Sequence, residues 1–319
     1  MSENLVSLKR STSTRWRPKR SLSKWFEQIA KVVFGSFALI SIATTAGIIL
    51  SLIFETIEFF KVVPIWQFLT DTEWTPLFAN PQYGILVLIS ATLLTAVIAL
   101  SVAIPLGLMA AIYLSEYAPT RLRRWLKPAL EVLAGVPTVV YGYFALLFIT
   151  PTLQTFIPGL ETFNALSAGL IMGIAILPTI ASLSEDAIYA VPQSLRQGAY
   201  ALGAMKRETV QNVILPAALS GIVASCILAV ARAVGETMIV TIAAGQNPRP
   251  ITPDLSFLDP RLAVQTMTAF IVQVSLGDAP VNSIEYQTIF AVGMTLFLIT
   301  LGLNIFSFWF VNRFREKYE

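Results

Sequence analysis

Residues 185–216, which read EDAIYAVPQSLRQGAYALGAMKRETVQNVILP, form a polar segment between two long apolar runs. Apolar and small side chains recur in it at helical spacing, which predicts a short amphipathic helix rather than an irregular loop. Pro216 marks the turn into the following apolar run. Such a helix serves either as an anchor at the membrane surface or as a knob inserted into a partner protein. The residues alone leave these two functions equally open.

The composition around this segment is that of a polytopic membrane protein. Of 319 residues, 55% are hydrophobic and 13% are charged, and the mean hydropathy is +0.69. Soluble domains carry roughly 25% charged residues. Six apolar runs are long enough to cross about 30 Å of hydrocarbon. The predicted transmembrane helices are residues 32–54, 84–115, 129–150, 165–184, 216–244 and 286–312. We expect a kink at Pro105 and an interruption at Pro178.

Lysine and arginine alternate between high and low counts along the connections. The successive segments 1–31, 55–83, 116–128, 151–164, 185–215, 245–285 and 313–319 carry eight, one, four, none, three, two and three. The positive-inside rule then places both termini in the cytoplasm.

The predicted organisation has five parts. They are a basic cytoplasmic arm (1–31), a first transmembrane helix (32–54), an external loop (55–83), a core of five further helices (84–312) containing segment 185–216, and a cytoplasmic tail (313–319). The arm is a topogenic tail or a lipid-bound segment. The aromatic residues of loop 55–83 are interface anchors or a docking surface. These are Phe59, Phe60, Trp66, Phe68 and Trp74.

Motifs for catalysis and nucleotide binding are missing from the sequence. It contains no G-x-x-x-x-G-K-[ST], no G-x-G-x-x-G, no H-E-x-x-H and no G-x-S-x-G. With no histidine and a single cysteine, Cys226, there is no basis for a disulfide framework or a metal site. We therefore predict that the chain is not an enzyme and draws energy from another chain or an ion gradient. A gradient-driven carrier would be expected to show repeated halves or further intramembrane charges, and neither is evident.

Residues 227–240, ILAVARAVGETMIV, place Arg232 and Glu236 four apart in an apolar stretch. On one helix face they could form a structural ion pair. Each charge costs roughly 2.5–3.5 kcal/mol at a helix centre, which a pair hardly offsets. Intramembrane ionisable residues therefore favour a place on a transport pathway.

Segment 185–216 resembles the EAA motif of ABC importer permeases, E-A-A-x3-G-x9-I-x-L-P. The matching pattern is Gln197-Gly198-Ala199-x3-Gly203-x9-Val213-x-Leu215-Pro216. The resemblance implies a coupling helix that seats in a cytoplasmic ATPase subunit, with Gln197, Gly198, Ala199, Gly203, Leu215 and Pro216 as its residues. Gln-Gly-Ala replaces Glu-Ala-Ala and Val213 replaces Ile, so a role for Gln197 is the least supported of these.

Two longer stretches resemble the phosphate-specific permeases of the PstC type. They are GLMAAIYLSEYAPTRLRRWLKPALEVLAGVPTVVYGYFAL (107–146) and ARAVGETMIVTIAAG (231–245); FLTDTEWTP (68–76) also fits. The PstA-type sister subunit would carry Ala-Pro after GET. The resemblance implies an all-α protein of the type I ABC importer permease fold. It also implies a phosphate path through Arg232, Glu236 and Thr237.

The partners implied by the resemblance are a second permease subunit, two cytoplasmic ATP-binding subunits, an external phosphate-binding protein and membrane lipid, but no nucleic acid. ATP and Mg²⁺ are bound by the ATPase partner, so this chain carries no cofactor. The location implied is the plasma membrane, the inner membrane of the cell. Alternatives are a permease for phosphonate, sulfate or molybdate, and the sister phosphate subunit.

Two further groups of residues each have two interpretations. Glu116, Arg121, Arg123 and Arg124 are solvated topogenic charges or part of the ATPase contact. Gly135, Pro137 and Gly142 break the third helix at the path or allow tight helix packing.

Overall fold

The computed structural model describes residues 20–281 and 283–314. By internal contacts the chain divides into one unit ending at Ser51 and a second that begins at Leu52. The described residues form thirteen α-helices and no strand. They are α1 Arg20–Val62, α2 Ile65–Thr70, α3 Ile85–Ile112, α4 Thr120–Ala134, α5 Thr138–Phe144, α6 Thr150–Gln154, α7 Ala165–Tyr189, α8 Gln193–Ala201, α9 Lys206–Thr209, α10 Leu215–Gly235, α11 Met238–Ala243, α12 Met267–Ser275 and α13 Ile284–Phe314.

The first unit consists of the described part of α1 up to Ser51. Nearly all of its described side chains are exposed although they are mostly apolar. Its polar groups are satisfied locally, since Lys31 pairs with Glu27 at 2.8 Å and the Ser36 hydroxyl donates to the Val32 carbonyl. An apolar helix with its side chains exposed requires lipid around it. The predicted helix 32–54 lies inside α1.

In the second unit, α3 and α7 pack closely through small residues. A Cβ atom on Gly173 would lie 2.6 Å from the Ala99 carbonyl oxygen, and one on Gly169 would lie 2.7 Å from Ile98. Glycine is therefore required at both positions. Small residues that let helix backbones approach closely are typical of membrane proteins. A central cluster rich in alanine surrounds this contact.

Aromatic residues form a cluster around the start of α3. Phe59, Phe68, Trp74, Tyr83 and Phe270 meet edge to face with centroids 5.0–6.5 Å apart. All five are buried. The two interpretations of loop 55–83 are therefore wrong for its buried members, which form a core. Trp66 does remain 74% exposed.

A second cluster surrounds the other end of α3 and includes Ala111, Ile188, Val191, Val210 and Ile214. Because α3 has 28 residues, the two clusters lie about 40 Å apart along it. We call the first the α12 end of the unit and the second the α8 end.

Two of the predicted transmembrane helices are interrupted. The run 129–150 is divided into α4 and a bent continuation, Thr138–Gln154, with an angle of 86° between them. Pro137 lies at the break, where it lacks an N–H donor and disfavours helical geometry in Val136. The run 216–244 is broken at Glu236, whose ψ of 133° ends α10. After each break the chain becomes helical again within a few residues, as α5 and as α11.

Proline does not interrupt the other helices. Both Pro105 and Pro178 lie inside continuous helices, α3 and α7. The predicted interruption at Pro178 is therefore wrong. Membrane helices tolerate proline where neighbouring groups satisfy the freed backbone.

Within residues 20–281 and 283–314, five helices are long and apolar enough to cross a membrane, and the bent pair makes a sixth. This agrees with the six predicted runs. The predicted external loop 245–285 contains a helix that the apolar runs did not indicate, the largely buried α12.

Candidate functional site

Arg232 lies in the last turn of α10, three residues before the helix ends. Its neighbours Ala229 and Ala233 belong to the central cluster and not to the clusters at either end of the unit. Nη1 donates a hydrogen bond of 2.6 Å to Thr179 Oγ1 on α7. A helix C-terminus carries partial negative charge, which favours a cation there. Arg232 is thus positioned by a neutral hydroxyl and by the helix end.

The structural ion pair that Arg232 and Glu236 could form on one helix face is not present. No ion pair within residues 20–281 and 283–314 joins these two side chains. The reason is the helix break, because i and i+4 share a face only while the helix continues. The Glu236 carboxylate instead accepts from the Ile239 N–H at 3.5 Å, and its carbonyl accepts from the Thr268 hydroxyl at 2.7 Å.

A half-buried guanidinium without a carboxylate partner suits a site for a passing anion. An arginine offers five N–H donors in a planar fork. Within the described part of the chain, one hydrogen bond engages that fork, the bond to Thr179. The remaining donors are available to two oxygens of a ligand.

Thr237 and Tyr141 complete the surroundings of the break. Thr237 is half-buried between α10 and α11, and its hydroxyl makes a long contact of 3.3 Å with the Gly235 carbonyl. The Tyr141 hydroxyl donates to the Leu133 carbonyl at 2.8 Å and is within electrostatic range of Arg232.

The stretch 134–142 contains both a helix break and a close helix contact, and a position of this break on the transport path stays a prediction. Gly135 and Pro137 flank the bend before α5. A Cβ on Gly142 would lie 3.1 Å from Ile242, so this glycine allows α5 to pack against α11.

Sequence reasoning missed three polar residues of the site: Thr179, Tyr141 and Thr268. Their signal was weak, because a threonine in an apolar run commonly bonds the carbonyl of its own preceding turn. Thr179 and Thr268 instead reach across to other elements.

The predicted coupling residues lie together at the α8 end. Gln197 and Gly198 are exposed and Ala199 is half-buried, all three on α8. Gly203 has a φ of +84°, the left-handed conformation that glycine adopts without strain, and it turns the chain toward α9. Leu215 and Pro216 begin α10.

The surface presented by α8 is open. An added Cβ on Gly198 or Gly203 would meet nothing within 4 Å. Leu202 is 91% exposed and Met205 is 73% exposed beside them. Exposed apolar side chains next to small residues are typical of a surface that a partner covers.

Buried ion pairs attach α8 to the rest of the unit. Arg196 of α8 pairs with Glu116, and its Nη2 donates to the Ile188 carbonyl at 2.8 Å. The side chains of Arg196 and Glu116 are 11% and 6% exposed. Arg123 pairs with the buried Glu185. Glu116 is therefore not a solvated charge, and both Glu116 and Arg123 form ion pairs within the chain. A contact of these residues with an ATPase subunit stays a prediction.

The arginines of segment 245–285 are fully engaged. Arg249 donates to the carbonyls of Ala263, Ser256 and Asp259 at 2.8, 2.7 and 3.2 Å, and burial lowers the pKa of its guanidinium. Arg261 pairs with Asp259 at 2.6 Å. The hydrogen bond from Arg261 lowers the pKa of the Asp259 carboxyl to about 2. Both arginines stabilise the segment, which leaves Arg232 as the better candidate for an anion.

No group of three or more His, Cys, Asp or Glu side chains suited to a metal ion occurs among residues 20–281 and 283–314.

Comparison with known proteins defines the class of this architecture. Residues 103–318 match the family model of the binding-protein-dependent transport system inner membrane component. The chain belongs to this family of permease components.

Three curated relatives indicate which kind of permease component the chain resembles. One is the phosphate transport system permease protein PstC of Haemophilus influenzae, 32% identical over 92% of this chain and 95% of the relative. Another is the probable ABC transporter permease protein YqgH of Bacillus subtilis, 32% identical over 91% and 92%. A probable PstC from Methanocaldococcus jannaschii is 31% identical over 75% and 78%. The resemblance to PstC-type permeases is thus confirmed.

Solved structures support the fold alone. A bacterial alginate ABC transporter chain aligns with a TM-score of 0.61 at 14% identity, over 92% of this chain and 99% of that one. A chain of the MetNI methionine ABC transporter aligns at 0.52 with 16% identity, over 73% and 95%. The predicted fold is confirmed as that of an all-α ABC importer permease, and the chain is a multi-pass membrane protein.

Proposed function

We propose that this chain is the PstC-type membrane subunit of an ATP-driven phosphate importer. The observation that supports phosphate as the substrate is the set of PstC relatives, which match over most of their length at about 30% identity. The half-buried Arg232 at the helix break supports it chemically. Intramembrane ionisable residues beside a broken helix are typical of substrate pathways.

The chemistry proposed for the site is transient binding of phosphate. The free donors of Arg232 match two phosphate oxygens, and the guanidinium does not lose its charge. The Glu236 carboxylate accepts the P–OH hydrogen of protonated phosphate, a group that sulfate lacks at neutral pH. Because Glu236 is not paired with Arg232, binding does not require an ion pair to break first. Thr237 lines the same break as a neutral polar group.

The energy is supplied by other chains. The importer would comprise this subunit, a second permease, two ATP-binding subunits that hold ATP and Mg²⁺, and an external phosphate-binding protein. The open surface of α8, comprising Gln197, Gly198, Ala199 and Gly203, would seat in an ATP-binding subunit. The charge distribution supports an orientation with both termini and α8 on the cytoplasmic side and the α12 end outside.

The test is uptake by the complete importer reconstituted in vesicles, with radiolabelled phosphate and the binding protein outside and ATP inside. We expect phosphate uptake that requires ATP and is not reduced by an excess of sulfate or molybdate. Uptake of labelled sulfate or molybdate at a comparable rate would refute phosphate as the substrate. Phosphate uptake without ATP would refute the ATP-driven mechanism.

A further inference from the structure

Helix α4 has a geometry that the transport function does not explain. It spans Thr120–Ala134 and meets the continuation Thr138–Gln154 at 86°. The continuation has 17 residues, about 25 Å of helix, which is enough to cross most of the hydrocarbon. A helix at nearly a right angle to a crossing segment lies close to the membrane plane.

Ion pairs fix the depth of α4. Lys127 contacts Glu185 at 2.7 Å and Asp186 at 2.8 Å, and Arg123 also pairs with Glu185. The Arg123 guanidinium lies 4.5 Å from the centre of the Tyr189 ring. Glu185 and Asp186 directly follow the uncharged run 165–184 of α7. The polar face of α4 is therefore held at the level where the apolar part of α7 ends, which is the membrane boundary.

The opposite face of α4 is apolar and uncovered. No residue of α4 is buried. Trp125 and Val132 lie two turns apart on one stripe and are 78% and 72% exposed. Leu122 and Leu126 widen this stripe. We call it the Trp125 face.

Two further arginines of α4 lie outside these ion pairs: Arg121 is one turn before Trp125, and Arg124 is on the polar face two turns before Glu131. Arg121 and Arg124 are exposed, and neither takes part in an ion pair among the described residues. Lysine and arginine beside a tryptophan-bearing apolar stripe are typical of a helix that lies in the membrane interface.

We infer that α4 is an interfacial helix whose Trp125 face enters the lipid while Arg121 and Arg124 bind anionic phospholipid headgroups. Charge complementarity selects this occupant, since the two unpaired cations lie at the same level as the phosphates of the bilayer surface. Anionic lipid thereby holds α4, and through Lys127 and Arg123 it supports the end of α7 that precedes α8. The inference depends on membrane insertion and not on the identity of the transported anion.

The test uses a single fluorescent label on the assembled importer. Cys226 is the one cysteine of the chain, so Cys226→Ala provides a background in which Trp125→Cys carries a bimane label. The matched control is Glu131→Cys, which is exposed on the polar face of the same helix. The vesicles contain phosphatidylcholine and phosphatidylglycerol. In each experiment one of these two lipids is brominated and quenches bimane fluorescence from within the bilayer, whereas iodide quenches bimane fluorescence from the water.

We expect the label at 125 to be quenched by brominated lipid, more strongly by the phosphatidylglycerol, and the label at 131 to be quenched by iodide. Arg121→Gln and Arg124→Gln should each lower the preference for phosphatidylglycerol up to about fivefold. Quenching at 125 by iodide alone would overturn the inference, and shielding from all quenchers would assign the face to a protein partner. Equal quenching by both lipids, unchanged in the arginine variants, would overturn headgroup binding. Loss of the preference on adding inorganic phosphate would assign the arginines to free phosphate.

Discussion

The ion pair between Glu116 and Arg196 offers a direct test of how α8 is held. Glu116→Gln keeps the shape of the side chain and removes its charge, so the Arg196 guanidinium is left 11% exposed without its carboxylate. Arg196 retains its bond to the Ile188 carbonyl. The prediction is that α8 detaches from the end of α7 far more often, while the rest of the unit stays folded.

The size of the effect follows from burial. Removing one partner of a buried ion pair costs about 3–5 kcal/mol. The remaining carbonyl bond and slight exposure of Arg196 favour the lower value, about 3 kcal/mol. Because 1.4 kcal/mol changes an equilibrium tenfold, the ratio of released to seated α8 should rise on the order of a hundredfold.

The assay is hydrogen exchange with mass spectrometry on the assembled importer. Amides of Gln193–Ala201 should exchange up to about a hundredfold faster in Glu116→Gln, while amides of α3 are unchanged. Glu131→Gln, which removes an exposed carboxylate, is the matched control and should leave α8 unaffected. The double variant Glu116→Gln with Arg196→Gln should recover part of the protection, because no unpaired charge remains. Unchanged exchange of α8 in Glu116→Gln would refute the reasoning, as would a uniform loss over all helices.

Two further predictions concern helix packing and the helix break. Gly173→Leu should lower the melting temperature of the complex, because its Cβ would lie 2.6 Å from a carbonyl oxygen of α3 and overpacking costs about 1–3 kcal/mol or more. Gly302→Leu, whose Cβ would have nothing within 4 Å, should leave the melting temperature unchanged. Equal melting temperatures of the two variants would contradict the close packing of α7 against α3. Thr268→Val should speed hydrogen exchange near the break and slow uptake, since the Glu236 carbonyl loses its donor at a cost of about 1–3 kcal/mol. Wild-type exchange there would show that this bond does not stabilise the break.

The transmembrane helices could largely be predicted from sequence, and their interruptions could not. Residues 84–115 were predicted as a helix and α3 spans Ile85–Ile112, because an uncharged apolar run of this length carries its own signal. The break at Glu236 has no proline, and the hydroxyl that satisfies its carbonyl comes from Thr268, 32 residues later. Conversely, Pro178 predicts an interruption of the helix, but α7 continues through this residue because its packed neighbours accommodate the proline.

The candidate site shows the same division between local and distant information. A charge inside an apolar run is conspicuous, so Arg232 could be proposed as a pathway residue from sequence alone. Its hydrogen-bond partner Thr179 could not be identified, and the alternative pairing with Glu236 assumed an unbroken helix. Glu116 and Arg196 are 80 residues apart, and in the sequence they are merely loop charges of opposite sign. Long-range pairs of this kind can be identified only from the folded structure.

The central claim is that phosphate passes by Arg232. The most direct measurement compares phosphate uptake by reconstituted importers carrying Arg232→Gln, Arg232→Lys or, as a control, Arg261→Gln, whose arginine pairs with Asp259. We predict that Arg232→Gln lowers uptake at least about tenfold with assembly intact, since a hydrogen bond to a charged group contributes about 1.5–3 kcal/mol. Arg232→Lys should retain part of the uptake, and Arg261→Gln nearly all of it. Phosphate uptake at the wild-type rate by Arg232→Gln would contradict the claim.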